Sequence, residues 1–164
     1  MNKEIASKFI ENLKNTSEKN KIFFKRNPLP TAGGIKAESI MALYSLLPFD
    51  VLKYNISKTE ESLFIFVASL YFQFEPNEDC VPLEEVIKKS CKSVDNVETR
   101  VTTLFKNRVD DDGILLRDLY RLIQLISKKE NMNIDCAKLL HDLSCWNHDS
   151  YYIQKQWAKT IHSI

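Results

Sequence analysis

Apolar residues recur along this chain at intervals of three and four, the spacing of amphipathic helices rather than of strands. Ile5, Phe9 and Leu13 repeat every four residues and predict one helix from about Asn2 to Asn20, broken by the Pro28, Pro30 and Gly33-Gly34 stretch. A second helix is expected from about Ile35 to Leu47, with Ala37, Ile40, Met41, Tyr44 and Leu47 on one side and Pro48 closing it. Thr59, followed by Glu60 and Glu61, reads as the capped start of a third, which carries the apolar run Leu63 to Phe72. An acidic loop, Glu75 to Pro82, precedes a short helix Leu83 to Cys91, and Ser93 or Asp95 is the next expected cap. Val97, Val101, Leu104 and Phe105 mark a helix to about Arg108, and Asp110 or Asp111 is expected to cap the helix from about Asp112 to Lys129. Two more follow, over about Asp135 to Trp146 and Ser150 to His162.

Composition fits this pattern. With 3 glycines and 5 prolines in 164 residues, turn punctuation is sparse, which favours helices over many short strands. The expected fold is all-α, with two packed helical-bundle lobes: an N-terminal lobe over 1–78 and a C-terminal lobe of four helices over 79–164. The apolar run of about ten residues falls short of the roughly 20 that span a bilayer, so it is expected to be core and no membrane is expected as a partner. The formal charge of +1 gives no global sign of nucleic-acid binding, although residues 1–30 hold seven basic against three acidic side chains. Cys80, Cys91, Cys136 and Cys145 lack short paired spacings and no signal peptide is read, so reduced thiols and a cytoplasmic location are expected.

The helix from about Asp112 shows the clearest division of faces. Leu115, Leu119, Leu122 and Ile126 cluster on one side, with Arg117, Arg121, Gln124 and Lys128 nearly opposite. Such a face is either solvated or a ridge that tracks phosphates, since arginines one turn apart can each meet a phosphate oxygen. Arg100 sits beside Val97 and Leu104, where its stem is expected to pack with the guanidinium at the core rim. Lys106 and Arg108 leave the same helix near its end. Lys25-Arg26, beside Phe23 and Phe24, forms a basic and aromatic cluster.

Other chemistry finds little footing. His141, Cys145 and His148 have partial zinc-ligand spacing, but no fourth ligand is evident unless Cys136 bends back. Asp110 to Gly113 is not an EF-hand loop, because the acids are consecutive and Arg121 stands at the twelfth position. Gly33-Gly34 lacks the following Lys-Ser or Lys-Thr of a phosphate loop. No nucleophile and base are paired, so no catalytic residue, metal or cofactor is expected.

Several segments, in order, resemble a known family. Glu98-Thr99-Arg100-Val101 with Leu104-Phe105 resembles a Glu-Arg-Arg segment and its apolar helix, and Leu119-Tyr120-Arg121-Leu122-Ile123 a Leu-Arg-Arg-Leu-Leu segment. Ile134-Asp135, Leu139-Leu140, Asp142-Leu143 and Trp146 resemble the next helix, and Gln156-Trp157-Ala158 a closing Trp-Ala. Phe24-Lys25-Arg26 and Leu46-Leu47-Pro48 match upstream. The family is the small subunit of the type I-E CRISPR surveillance complex, the CasB family of Cascade. Glu84 departs from it by replacing a glycine, Thr99 and Tyr120 by replacing the first arginine of each pair, and Cys136 by replacing a tryptophan.

The resemblance implies a non-catalytic, two-lobed helical subunit present as two copies. Its partners would be a second copy of itself, the Cascade backbone and large subunits, the guide RNA, the target DNA and the displaced single strand. Lys25, Arg26, Arg100, Lys106 and Arg121 are the nucleic-acid contacts it implies, and helical phase adds Arg117 and Lys128. Two other readings stay open: a helical protein-interaction adaptor with a merely solvated ridge, and a helix-turn-helix regulator using the Arg117 to Lys128 helix.

Overall fold

The computed structural model describes residues 1–29 and 37–164, and every regular element in them is a helix. The Gly33-Gly34 break, Pro30 and the expected helix start at Ile35 lie outside the described residues. Where the periodicity predicts one opening helix there are two, α1 (Lys3–Lys14) and α2 (Glu18–Arg26). Short polar side chains between them compete for the backbone: Asn15 Nδ2 donates to the Glu11 carbonyl, and Ser17 Oγ accepts the Asn20 amide as the α2 N-cap. The break redirects α2 so that buried Phe24 stacks on Phe72, 6.1 Å between ring centres.

Helix α3 (Ala37–Tyr44) presents a different side to the core from the one its spacing predicts. Ser39, Ala42 and Leu43 are buried, whereas Ile40, Met41 and Tyr44 face water. It ends at Tyr44, and Leu46 and Leu47 reach the core from the turn that follows. Pro48 then opens an unanticipated single turn, α4 (Phe49–Leu52), instead of simply closing a helix. Met41 is 76% exposed, Phe49 72% and Tyr54 75%, so α3, α4 and the residues after them carry an uncovered apolar face.

The apolar run becomes α5 (Lys58–Phe74), buried continuously from Leu63 to Leu70. Its N-cap is Ser57 rather than Thr59. Ser57 Oγ accepts the Glu60 amide while the Glu60 carboxylate accepts the Ser57 amide, a reciprocal capping box, and Thr59 donates instead to Asp111 at 2.7 Å. No helix among the described residues is long and apolar enough to cross a membrane.

The span 79–164 holds five helices rather than four, because the short α6 (Leu83–Ser90) packs along the last helix as a full member. It is followed by α7 (Val97–Lys106), α8 (Ile114–Ile126), α9 (Cys136–Ser144) and α10 (Tyr152–Ile161). Asp135 caps α9 by accepting the Lys138 amide. The caps expected at Ser93 or Asp95 and at Asp110 or Asp111 give way to left-handed residues with no side-chain cap bond, Asn96 (φ 62°) before α7 and Gly113 (φ 65°) before α8, and α10 likewise follows a left-handed Tyr151 (φ 54°). Asp110 still shapes the entry to α8, its Oδ1 accepting the Asp112 and Gly113 amides.

Helix α9 packs on α1 and α5 from the first half of the chain, and α7 packs on α8. A clip of two backbone bonds, Val81 N to the Asn133 carbonyl (2.9 Å) and Asp135 N to the Val81 carbonyl (2.8 Å), fixes where α9 begins. Trp146 and Trp157 meet edge to face at 5.2 Å in one buried cluster.

Candidate nucleic-acid interface

Helix α8 is held by six buried residues, Leu115, Leu116, Leu119, Leu122, Ile123 and Ile126, which leave its opposite side to water. Arg117 and Arg121 stand exposed there, one turn apart. Gln124, expected in the same ridge, turns inward: its Nε2 donates to Gln73 Oε1 on α5 at 3.0 Å, and Tyr120 reaches the same oxygen at 3.5 Å. Lys128 is exposed but lies past the end of the helix, in the turn after Ile126. The four-residue ridge therefore narrows to two arginines on the helix and one lysine beyond it.

The neighbouring α7 buries Val97, Val101 and Leu104. Arg100 is exposed beside that stripe, and no carboxylate lies within ion-pair distance among the described residues. At 100° per residue it projects obliquely to the packed side. Lys106, the last residue of α7, is also exposed. The end of α7 is firmly seated: Trp146 Nε1 donates to the Asn107 carbonyl at 3.1 Å, and Asn147 exchanges two hydrogen bonds with the Val109 backbone. Arg108 Nη2 donates to the Asn147 carbonyl and pairs loosely with Asp149.

Existing partners of the cations are weak. Arg121 meets Asp118 at 3.5 Å with 65% of its side chain exposed, and Arg117 reaches the Asp112 carbonyl at 3.4 Å. Surface pairs of this kind contribute about 0–1 kcal/mol, so a phosphate can displace them at little cost. Lys25 and Arg26 stand apart in the last turn of α2, where Lys25 pairs with Glu75 at 3.4 Å just beyond α5. The structure thus gathers Arg100, Lys106, Arg117, Arg121 and Lys128 on and just beyond the α7–α8 pair and leaves Lys25 and Arg26 on a separate element. Asp118 is a tether that sequence reasoning missed: it faces Arg121 and also accepts from Asn107 Nδ2 at 3.5 Å, linking the two helices.

The remaining reactive side chains are engaged elsewhere. His141 Nδ1 is 3.0 Å from the Met1 carbonyl and His148 Nδ1 is 2.9 Å from Ser150 Oγ, while Cys136 is buried. Among the described residues no group of three or more His, Cys, Asp or Glu side chains could hold a metal ion. Burial pushes the Cys80, Cys91 and Cys136 thiols up, which keeps them protonated and weakly nucleophilic at neutral pH.

Comparison with known proteins gives a consistent answer. The family model of CRISPR-associated protein Cse2 matches residues 32–160. Among solved structures, a CRISPR-associated protein of the Cse2 family from Thermus thermophilus superposes with a TM-score of 0.77 at 20% identity, covering 97% of this chain and 98% of that one. CasB from M. ruber gives 0.72 at 18% identity, with 93% and 89% covered. A further structure, of CasB and also from Thermus thermophilus, gives 0.70 at 21%, with 97% and 98% covered. No protein with a curated description matches the sequence.

Proposed function

Since this chain belongs to the CRISPR-associated Cse2 family, we propose that it is a non-catalytic small subunit of the type I-E Cascade complex. In that role it steadies guide RNA, target DNA and the displaced strand of the R-loop through phosphate contacts, alongside a second copy and the backbone and large subunits. The observation that carries this reading is the α7–α8 pair, whose buried apolar sides hold exposed Arg100, Arg117 and Arg121 on rigid helices. Positioned cations of this kind bind phosphates without reading bases, which suits a complex whose sequence recognition resides in guide–target pairing. R-loop exchange is near balance energetically, so a few such contacts shift it.

The test is the double variant Arg100→Ala, Arg121→Ala. Both side chains are exposed, so far-UV circular dichroism should be unchanged. R-loop formation should weaken, and the slope of log K against log salt should become shallower by about 0.9 per lost duplex contact, or about 0.7 per single-strand contact. Unchanged affinity and slope would remove the assignment of these residues.

A further inference from the structure

We propose that the outer face of α10, with the lysines at the end of α6, is a second contact surface for a single-stranded nucleic acid, separate from the α7–α8 arginines. This inference rests on the nucleic-acid reading above but assigns it different residues. Its starting point is local charge. Residues 97–128, which include α7 and α8, hold six basic and five acidic side chains, so the field there is nearly cancelled. From Ser150 to Ile164 there is no acidic side chain, while Lys155, Lys159 and His162 are present. From Val86 to Val94 there are Lys88, Lys89 and Lys92, again with no acid between them.

Packing brings the two basic stretches into neighbouring helices. Ile153, Trp157 and Ile161 are buried, so Lys155 and Lys159 fall one turn apart on the opposite side of α10, and both are exposed. Helix α6 lies against α10, and Lys88 Nζ donates to Ser163 Oγ at 2.7 Å, which brings the end of α6 to the end of α10. Glu85 shares the outer side of α6 with Lys89, and Glu130 accepts from the Ser93 hydroxyl at 2.7 Å beside Lys92 in the turn that follows, so the clearest excess of cations is on the acid-free side of α10. None of Lys88, Lys89, Lys92, Lys155 and Lys159 is ion-paired among the described residues, in contrast to Lys25 and Arg121.

Aromatic rings favour a single strand over a duplex or an acidic protein. Tyr152 lies three and seven residues before Lys155 and Lys159, on the same face, and is 40% exposed; Tyr151 is 54% exposed beside it. The Tyr152 ring is braced edge-on by His148 at 5.2 Å. Exposed rings interleaved with lysines offer stacking surfaces to unpaired bases and cations to the backbone between them, whereas paired bases are already stacked.

The experiment titrates the purified full chain with labelled oligodeoxythymidine of about 30 nucleotides over a salt series. It compares the parent, Lys155→Gln/Lys159→Gln, and Arg100→Ala/Arg121→Ala, each first checked for an unchanged circular dichroism spectrum. We expect the lysine variant to bind more weakly, with a salt slope shallower by about 1.4, two contacts at about 0.7 each. Tyr152→Leu should weaken binding with no change of slope. A lysine variant that matches the parent while the arginine variant loses binding overturns this inference and leaves the α7–α8 assignment standing. The reverse result supports it and removes that assignment. No binding by the parent at low salt overturns both. If poly-glutamate binds in place of DNA and depends on the same lysines, the surface is a protein-docking face and the inference is overturned.

Discussion

Lys138 holds two buried carboxylates at once. Its Nζ lies 2.7 Å from Glu84 and 2.5 Å from Asp142, which are 2% and 3% exposed, and Trp157 Nε1 donates to the same Asp142 oxygen at 2.8 Å. Breaking such a group costs more than forming it contributes, because a carboxylate is left buried without its counter-charge. Lys138→Met should therefore destabilise the fold by about 3 kcal/mol, the low end for a buried pair, since 22% of the lysine side chain is exposed; the denaturation midpoint in urea reads it. Burial opposes the lysine charge, but hydrogen bonds to Asp142 and Glu84 and their charges outweigh it and raise its pKa above 10.5. The contribution is thus full below that ordinary value and lost as pH climbs through the raised one. As pH rises above about 10.5, the parent should lose stability that Lys138→Met does not. Part of this was legible: Lys138 and Asp142 are four apart on one helix. Glu84 was visible only as a departure from the glycine of the resembled family, since spacing says nothing of a contact 54 residues away.

Helices depend on their ends as well as their faces. Ser57→Ala removes the acceptor for the Glu60 amide at the start of α5 and should cost about 1 kcal/mol, measurable as a lowered melting temperature; Thr59→Ala, outside the cap, should cost less. Helix existence was legible from spacing almost throughout, and helix starts were not. A search for Ser, Thr, Asp or Asn caps goes astray where the chain enters a helix through a left-handed residue, as it does at Gly113 and Tyr151. The break at Asn15 to Ser17 was hidden for a related reason: the apolar period ends at Leu13, and the polar residues after it fit a solvated helix as well as a cap. Gln124 shows the limit for the candidate site. Helical phase placed it opposite Leu122, and its inward bond to Gln73 depends on which helix stands beside α8. The acid-free stretch of α10 needed no structure to be noticed, yet only the structure shows that α6 packs on it and that Lys88 reaches Ser163 at its end.

Across the whole molecule, α9 ties the halves of the chain together through its packing on α1 and α5. Both tryptophans belong to the second half, so fluorescence reports on that half while far-UV circular dichroism reports on all helices. With α9 shared, the two probes should give one coincident urea transition. Leu140→Ala, at a fully buried position on α9, should shift both together by about 2–5 kcal/mol; two separated transitions would show that the halves unfold independently. Periodicity gives each helix a buried side but no partner, which is why the all-α class could be read from the chain and the α1–α9–α5 packing could not.

The uncovered face of α3 and α4 decides how the free chain behaves at high concentration. Met41, Phe49 and Tyr54 contribute little to the core, yet each offers apolar surface to any neighbour that collides with it. We therefore expect this face, rather than folding, to limit the solubility of the isolated chain, so that the two can be altered separately. Met41→Lys with Phe49→Lys should raise the concentration at which light scattering begins while leaving the melting temperature where it was.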